Sequence, residues 1–555
     1  MRSTFSTNAG ADPSLWLART LKVVVALFAI FPLSFAFRPA RWVVDRPVTE
    51  DAFYALSISR NIAEGKGVTI DGSTPTNGFQ PLFVFACVPL FVFAGGDRIL
   101  AIRLVLGLSW ALYLATAVLM GQIVRDFLGS GDEPRARLTP WVTATLYLSA
   151  PLILMDHFNG LETGALLFLY ALAWRCHQLN WEKSFWKSVL FALLLGLIVL
   201  ARIDAAFFVV AVCIGRWLPQ RQINWRQWAS RFFKLAGISS VVSSAWWLNN
   251  LVRFHSLTPS SGRAEQAWAV SAYRWERVAA ALLRNLVPWV FTEVHFDRSL
   301  GTAVRLLFLL CVVGAGFRYR AAVQQFFSGP NSRGDVGRRT LEFVRWLATS
   351  VAALAAWYGL SSWAVHFYTR YMAPLTLLTI FVFGSAAATT WRKLPRIATA
   401  SALFSIAPVL VLTASLWHGR PVPNGFLREQ VKLVERYATP GDTVAAGQSG
   451  TLGYFRSGVV NLDGKVNPRA LEFQTRMWEY LPQVHARWLC DWPAYTRAYL
   501  GDRPEKYGWK LVARQGGFVL LHYDPPATLN AEVASPALPQ LGFTLRYRRL
   551  LNVSW

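Results

Sequence analysis

Cysteine is scarce in this chain, with five residues among 555. Four of them lie in or beside apolar segments, at Cys87, Cys176, Cys213 and Cys311. Only Cys490 lies in a polar stretch, and it has no evident disulfide partner. No cysteine or histidine spacing matches a metal site. A disulfide framework, a zinc site and thiol chemistry are therefore not expected to be the basis of function.

Acidic residues are also few: there are 31, against 56 Lys and Arg, which gives a formal net charge of +25. The basic residues are spread among short loops and form no patch with interleaved aromatic residues, so nucleic-acid binding is not expected. Positively charged cytoplasmic loops and attraction to anionic lipid head groups explain the excess. An anionic lipid-phosphate substrate would also suit it. Internal repeats and low-complexity tracts are absent from the sequence.

Apolar residues, by contrast, are abundant. They make up 54% of the chain, which contains 25 Trp and has a mean hydropathy of +0.32. These values predict a polytopic α-helical membrane protein. Because Arg38 and Pro39 follow the first apolar run instead of a cleavage site, we expect a retained signal anchor. The eleven predicted spans are 21–37, 99–124, 138–156, 161–178, 188–202, 204–218, 235–252, 302–317, 344–363, 372–390 and 397–416.

The apolar run 79–94 is not counted, because it holds two prolines and is short for a straight span. We expect it to lie in the interface or to re-enter. Charge supports this choice: with eleven spans and the N-terminus inside, the loops richest in Lys and Arg face the cytoplasm. The outer loops still contain some arginine, at Arg253, Arg263, Arg274 and Arg277.

An odd number of spans places residues 417–555 outside, after a membrane domain of residues 1–416. This tail has polar helical stretches at 428–437 and 469–489. Between and after them come the short β-type runs TVAAG, GVVNLDG, KLVAR and GFVLLHY, separated by turns such as PGD and QGG. The pattern predicts a small extracytoplasmic α/β domain that is large enough for its own core.

The segment 49–81 is the only long polar stretch in the first hundred residues and lies in the first outer loop, 38–98. It predicts a helix with Thr49 as N-cap, Glu50 and Asp51 in the first turn, and a stop at Gly65. A strand-like VTI run and a turn-rich segment, DGSTPTNG, follow. One interpretation is an amphipathic helix on the membrane surface. The other is an acid pair held just outside the bilayer as a general base or substrate clamp.

Four further polar groups reach the same outer side in this topology: DHFNGLET (156–163), ARID (201–204), RFHSLTPSSGR (253–263) and HFYTRY (366–371). Each has a structural alternative. The carboxylates can mark helix ends, Arg202 and Asp204 can form an ion pair, and Arg370 can reach lipid head groups. Arg263 can be ordinary loop charge, and the histidines can be interfacial. Their convergence predicts a site where a carboxylate deprotonates a hydroxyl and arginines neutralise a phosphate.

Several of these motifs resemble those of bacterial GT-C membrane glycosyltransferases. This superfamily includes protein O-mannosyltransferases, lipid A aminoarabinose transferases and mycobacterial arabinofuranosyltransferases. The first loop carries the most specific resemblance, through its acidic pair, AFY, NIAEGKG and TNGFQPL. The runs NGLET, LARIDA, PSSGR, RYMAPL and, in the tail, GYFRSGVVNLDGKVN are similar as well.

The resemblance implies a GT-C-like fold and transfer of a sugar from a polyprenyl-phosphate carrier to a glycan, lipid or protein acceptor. The reaction would take place on the outer face of a bacterial cytoplasmic membrane, with inversion. A first-loop acid is implied as the base; since that position is usually Asp, Glu50 and Asp51 both stay candidates. The resemblance also implies a second acidic position at Asp156 or Glu162 and donor-phosphate contacts at Arg263 and Arg370. The convergence of the outer loops adds Arg202 as a predicted phosphate contact and, as predicted pocket residues, Asn77, Gln80, His255, His366 and Tyr371.

Two other classes of function stay open. A transporter or flippase for polyprenyl-linked glycans would use the same cavity without chemistry, although such proteins typically show internal repeats. A membrane-anchored binding protein would hold glycan with its outer domain, although the acid pair beside the membrane argues against it. No acidic cluster demands a metal, so no cofactor is expected to be required, and a divalent cation is left open. The expected partners are the sugar donor, the acceptor and membrane lipid, with no nucleic acid.

Overall fold

The structure is a computed structural model that describes residues 13–129, 134–215, 225–267, 274–290, 298–318, 334–360, 367–390, 395–417 and 427–524. They form a helical domain up to residue 417 and an α/β domain from residue 427. The helices of the helical domain are Pro13–Phe37, Ala40–Val43, Glu50–Ala63, Pro81–Ala94, Arg98–Leu128, Pro134–Leu148, Pro151–Phe158, Thr163–Gln178, Phe185–Ala201, Ala206–Ile214, Trp225–Phe254, Ser260–Ala267, Arg274–Leu286, Arg298–Arg318, Asp335–Leu360, Tyr368–Tyr371, Pro374–Thr390, Pro395–Phe404 and Ile406–Trp417.

A helix or a pair of helices lies at each of the eleven predicted spans. Among the described residues, three helices are long and apolar enough to cross a membrane: Trp16–Phe37, Arg98–Leu128 and Asp335–Leu360. A bent pair at 137–158 adds a fourth candidate. Several other apolar helices are shorter than such a span, and Pro81–Ala94, with 14 residues, is one of them. The eleven-span topology stays a prediction.

Two predicted spans are wrong as single helices. The span 138–156 consists of two helices that meet at a 71° bend, because Pro151 begins the second helix and its missing N–H cannot continue the first. The span 397–416 breaks at Ser405, between Pro395–Phe404 and Ile406–Trp417. The Ser405 hydroxyl donates a hydrogen bond to the carbonyl of Ala402 at this break.

The helical domain has one large apolar core, to which most of its longer helices contribute side chains, and two smaller buried clusters around Trp246 and Tyr358. Its outer surface is apolar as well. Large side chains that are more than two-thirds exposed include Phe37, Phe93, Leu360 and Phe404. Exposed apolar residues distributed over many helices are typical of surfaces that contact lipid.

The C-terminal domain is a five-stranded sheet with helices on both faces. The strands are β1 (Val444–Ala446), β2 (Val459–Asn461), β3 (Trp488–Asp491), β4 (Trp509–Gln515) and β5 (Phe518–Tyr523). Their spatial order is β2-β1-β3-β5-β4; β2, β1 and β3 are parallel, whereas β5 is antiparallel to both β3 and β4. The domain's helices are Leu427–Tyr437, Gly450–Phe455, Pro468–Glu472, Met477–Gln483 and Pro493–Leu500.

The predicted β runs of the tail are confirmed as β1, β2, β4 and β5. The turn QGG is confirmed too, since Gly516 and Gly517 join β4 to β5 with positive φ. The predicted helical stretch 469–489 is wrong over its second half. It contains two short helices and then β3, a fully buried central strand without the polar alternation of a half-exposed strand.

The first-loop helix, Glu50–Ala63, lies between the two domains and is buried on nearly every side. Phe53 packs against Tyr454 of the C-terminal domain with ring centroids 5.2 Å apart. On the other side Ala52 meets Gly160, where an added Cβ would lie 2.8 Å from the Ala52 methyl. The helix therefore does not lie on the membrane surface. Thr49 is confirmed as the N-cap position, but its side chain makes no capping hydrogen bond and donates to the Asn159 carbonyl at 3.2 Å instead. The strand-like VTI run forms only one isolated bridge, between Thr69 and Pro75.

Candidate active site between the first loop and the C-terminal domain

Glu50 joins the first loop to the C-terminal domain. Its Oε1 accepts a hydrogen bond from the Gly450 amide at 2.6 Å, and its Oε2 accepts one from the Thr451 amide at 3.1 Å and one from the Thr451 hydroxyl. Burial raises the pKa of Glu50 to about 7, while the three donors favour the carboxylate form. Gly450 must be glycine for this approach, because an added Cβ would lie 2.4 Å from the Glu50 carbonyl oxygen. Both oxygens of Glu50 are thus engaged in docking.

Asp51 faces a different environment. Its Oδ1 lies 3.5 Å from the Nζ of Lys465, which in turn lies 3.2 Å from Oε1 of Glu265. The side chains of Asp51, Glu265 and Lys465, here called the Asp51 cluster, are 24%, 13% and 20% exposed. Although burial opposes the charge, Asp51 and Glu265 raise the pKa of Lys465 well above its usual value. The cluster therefore combines two carboxylates with one permanent ammonium at a partly open position.

Three segments meet at the backbone of Lys465. The Ser260 hydroxyl donates to the Lys465 carbonyl at 2.8 Å, and the Ser260 amide donates to Oδ1 of Asn77 at 3.1 Å. Gly78 packs so tightly that an added Cβ would lie 1.8 Å from the Lys465 carbonyl oxygen. Asn77 is fully buried, and its Nδ2 has no hydrogen-bond partner among the described residues. The TNG segment and the outer helix Ser260–Ala267 thus hold the lysine loop in place.

Arg370 lies next to this cluster. Its guanidinium lies 4.6 Å from the Phe367 ring centroid, and the Lys465 ammonium lies 4.9 Å from the same ring. The Nε of Arg370 is buried without a hydrogen-bond partner in the described part of the chain. The charges of Glu162 and Asp51 stabilise this guanidinium. Arg370 therefore retains hydrogen-bonding capacity close to the first-loop acid.

Arg263 lies on the outer helix, two residues before Glu265. A separation of two residues turns through about 200°, so the two side chains leave the helix on different sides. Glu265 contacts Lys465, whereas the Nε of Arg263 is buried and finds no hydrogen-bond partner within the described ranges. Arg263 therefore lies on the same helix as Glu265, but its side chain leaves that helix in another direction.

Arg202 is already engaged by the protein. It is 2% exposed, forms an ion pair with Asp204, and its Nε lies 3.9 Å from Oε1 of Glu162. It also donates to the Arg370 carbonyl at 2.9 Å, and its guanidinium lies 4.5 Å from the Tyr371 ring centroid. The Arg202–Asp204 ion pair considered from the sequence is present, and Arg202 fixes the backbone that carries Arg370.

The predicted second acidic position is occupied by two buried residues. Glu162 is 6% exposed and pairs with Arg202. Asp156 is 5% exposed on the short helix Pro151–Phe158, next to His157, whose Nε2 is 2.8 Å from the Tyr147 hydroxyl. Asp51 shares the Lys465 ammonium with Glu265, which comes from another loop than the predicted Asp156 and Glu162.

The remaining predicted pocket residues have separate positions. Gln80 accepts a hydrogen bond from the Ile203 amide at 3.3 Å and so links the first loop to the Arg202 turn. Tyr371 stacks on Tyr358 with ring centroids 4.7 Å apart. His255 is exposed at the end of the helix Trp225–Phe254 with a φ of 50°. His366 lies outside the described residues.

No metal site is visible in the part of the chain that the structure describes: no group of three or more His, Cys, Asp or Glu side chains is placed to hold an ion. At the Asp51 cluster, the position between the two carboxylates is taken by the Lys465 ammonium. Metal independence stays a prediction.

Lys465 and Glu265 were not predicted as site residues. Lys465 lies in the tail motif NLDGKVN, and Glu265 lies two residues after the PSSGR motif. Both motifs were recognised, but residues 51, 265 and 465 are too far apart in sequence for any local spacing to pair them. The one sequence feature that could have pointed to Lys465 is that it is the single lysine in a turn rich in Gly, Asp and Asn, NLDGKVN.

Solved structures similar to this chain along most of its length include two lipid-phosphate complexes. ArnT from Cupriavidus metallidurans bound to undecaprenyl phosphate is 16% identical, with 92% of this chain and 99% of that chain covered and a TM-score of 0.49. The archaeal oligosaccharyltransferase AglB from Archaeoglobus fulgidus, in complex with an inhibitory peptide and a dolichol-phosphate, is 13% identical. The match covers 92% of this chain and 75% of that chain, with a TM-score of 0.46.

No protein-family model and no curated protein matches the sequence. Likenesses at this identity and TM-score do not transfer an activity, so the proposal below rests on the site's own residues.

Proposed function

We propose that this protein is a membrane glycosyltransferase of the GT-C type. It transfers a sugar from a polyprenyl-phosphate donor to a hydroxyl of a glycan, lipid or protein acceptor, with Asp51 as the general base. The observation that carries the proposal is the contrast within the acid pair. Glu50 uses both oxygens to hold the C-terminal domain, whereas Asp51 stays partly exposed beside Lys465 and within the electrostatic reach of Arg370.

The reaction is a single displacement. The acceptor oxygen forms a bond to the anomeric carbon while the bond from that carbon to the phosphate oxygen breaks, and the released electron pair stays on the polyprenyl phosphate. The acceptor proton passes to the carboxylate of Asp51, a step that typically contributes about 10²- to 10⁴-fold in rate. One displacement inverts the anomeric centre and needs no covalent intermediate.

Arg370 is the residue proposed to receive the departing phosphate. A guanidinium can give two parallel hydrogen bonds to phosphate oxygens, and it acts most strongly where water is excluded. The unpartnered Nε of Arg370 and its position over the Phe367 ring fit this role. Arg263 stays a second predicted phosphate contact. Its side chain leaves the outer helix on a different side from Glu265, so we propose that it meets the donor away from the Asp51–Lys465 pair. Arg202 positions the Arg370 backbone instead of meeting the donor.

Lys465 and Glu265 are proposed to position the base. The ammonium holds the Asp51 carboxylate in one orientation, and Glu265 competes with Asp51 for the same ammonium. Because Lys465 belongs to the C-terminal domain, the site is complete only when this domain is docked. We place the site on the outer face of a bacterial cytoplasmic membrane, as the positive-inside pattern of the loops indicates.

The first experiment is mass spectrometry of lipids that copurify with the detergent-solubilised protein. We expect a polyprenyl-phosphate sugar with the wild type and its loss from an Arg263→Ala/Arg370→Ala double variant. The matched control is Arg469→Ala/Arg476→Ala, which removes two exposed arginines of the C-terminal domain. Bulk phospholipid alone, equal in all three proteins, would refute the donor site and favour a transporter or a binding protein.

A further inference from the structure

A second polar pocket lies on the other side of the first-loop helix from the Asp51 cluster. It lies between the first loop, the start of the helix Arg98–Leu128 and the C-terminal domain, and its empty space of about 490 Å³ includes open solvent. Its cationic lining residues come from all three parts: Arg60, Lys66, Arg98 and Arg456. This pocket is called the arginine pocket below.

The arginines are held in place by main-chain carbonyls. Arg60 donates to the Tyr454 carbonyl and Arg98 to the Phe455 carbonyl, so both guanidiniums cap the C-terminal end of the helix Gly450–Phe455. The Tyr454 hydroxyl returns a hydrogen bond to the Arg98 carbonyl at 2.8 Å. These contacts fix two like charges near each other, and each guanidinium has further N–H groups.

Positive charge in the pocket exceeds negative charge. Of its two acids, Glu64 is shared between Arg60 and Lys66, at 3.8 Å and 2.5 Å. Asp71 accepts hydrogen bonds from Ser73 and Thr74 within its own turn. Four cations therefore face two carboxylates. Burial and then the neighbouring charge of Arg98 lower the pKa of Arg60, as expected for cations crowded together.

Two polar atoms of the pocket are unpartnered. The hydroxyl of Ser57, a residue that is 1% exposed, has no hydrogen-bond partner in the described structure, and neither does the buried Nε of Arg456. Buried polar groups are normally hydrogen-bonded, and leaving a buried donor without an acceptor destabilises the protein. Both atoms belong to residues that line the pocket, so a ligand in it could supply the missing acceptors.

We propose that the arginine pocket binds a phosphate oxyanion at a position separate from the donor site. Guanidinium groups that approach from three chain segments suit a tetrahedral phosphate, whose oxygens point in several directions, better than a planar carboxylate. Among the helices of the described ranges that could cross a membrane, the longest begins at Arg98, so the pocket opens near the proposed membrane boundary. The phosphate of a lipid and free phosphate could both reach it.

The test is titration calorimetry with the full-length protein in neutral detergent. One arm uses inorganic phosphate, and the other uses short-chain phosphatidylglycerol below its micelle concentration. Both arms are run on the Arg263→Ala/Arg370→Ala variant, which lacks the proposed donor contacts. Because the readout is binding and needs no sugar, its outcome is independent of the glycosyltransferase proposal.

Arg456→Gln is expected to weaken binding about 10-fold or more, as for loss of a hydrogen bond to a charged group. Lys66→Gln should weaken phosphate binding by a few-fold, and because Lys66 is exposed, this substitution is not expected to cause misfolding. The matched control is Lys432→Gln. Lys432 is also an exposed lysine, it lies outside the pocket, and its Nζ is 3.0 Å from Oε1 of Glu429.

Binding of phosphate that depends on Arg456 and Lys66 would identify a free-anion site. Binding of phosphatidylglycerol alone, with the same dependence, would identify a lipid site. If neither ligand binds, or if both pocket variants bind like Lys432→Gln, the proposal is wrong.

Discussion

The Nζ of Lys465 lies 3.5 Å from Oδ1 of Asp51, so the C-terminal domain supplies a charge directly to an acid of the first loop. This pair links the two domains at the proposed reaction centre. The C-terminal domain is therefore part of the proposed site.

The proposed positioning role of Lys465 can be tested by removing its charge and by replacing it with arginine. Lys465→Met should lower kcat by about 10- to 100-fold with a smaller change in KM, because the base loses its positioning charge. Lys465→Arg keeps the charge and should recover part of the rate. Lys506→Met, at an exposed lysine of the same domain, is the control. An unchanged kcat in Lys465→Met, measured with a purified lipid-linked sugar, would remove Lys465 from the site.

The two first-loop acids should respond differently to amide substitution. Asp51→Asn should lower the transfer rate by about 10²- to 10⁴-fold with little change in melting temperature, since an amide cannot accept the acceptor's proton. Glu50→Gln should cost about 1–3 kcal/mol of stability through the lost charged acceptor, and should retain measurable activity. Kinetics and thermal unfolding on both variants check this. The reverse pattern would assign the base to Glu50.

The tight approach at Gly78 predicts a packing defect. In Gly78→Ala the new methyl would overlap the Lys465 carbonyl, so the lysine loop must move, at a cost of about 1–3 kcal/mol. We expect faster proteolysis of the C-terminal domain and a loss of transfer activity. Gly107→Ala is the control, because a Cβ there meets nothing within 4 Å. Equal proteolysis and activity in the two variants would contradict the close approach.

Asp463 predicts a pH dependence of domain docking. The Tyr54 hydroxyl has one proton and faces two acceptors, the Gly447 carbonyl at 2.9 Å and Oδ2 of Asp463 at 3.1 Å. A protonated Asp463 resolves this conflict by donating to Tyr54. Burial raises the pKa of Asp463 to about 6, although Lys465 opposes the shift and Asp51 adds to it.

Because the folded-state pKa of Asp463 is raised, its stabilising contribution is complete below the unfolded pKa of about 4 and is lost as pH rises through about 6. Asp463→Asn keeps a neutral donor at all pH values. We therefore expect the variant to gain stability relative to wild type between pH 5 and pH 8, measured as the difference in melting temperature. A constant difference over this range would show that Asp463 does not titrate there.

Local signals predicted much of the fold. Thr49, the acids after it and Gly65 marked the first-loop helix, because capping and helix-stop preferences act within a few residues. The β runs around Val444, Val459 and Phe518 were predicted by their composition. Strand β3 was missed because a short, fully buried strand has no polar alternation that distinguishes it from a helix segment.

The sequence by itself determined that the chain is mostly apolar and helical, that a polar acid-bearing loop follows its first long helix, and that its tail forms a small α/β domain. These properties depend on composition and near neighbours in the chain. Only the tertiary structure decided that Glu50 serves docking while Asp51 and Glu265 both contact Lys465. The physical reason is that charge pairing and burial depend on distance in space, and docking of the C-terminal domain brings these three residues from distant parts of the chain together.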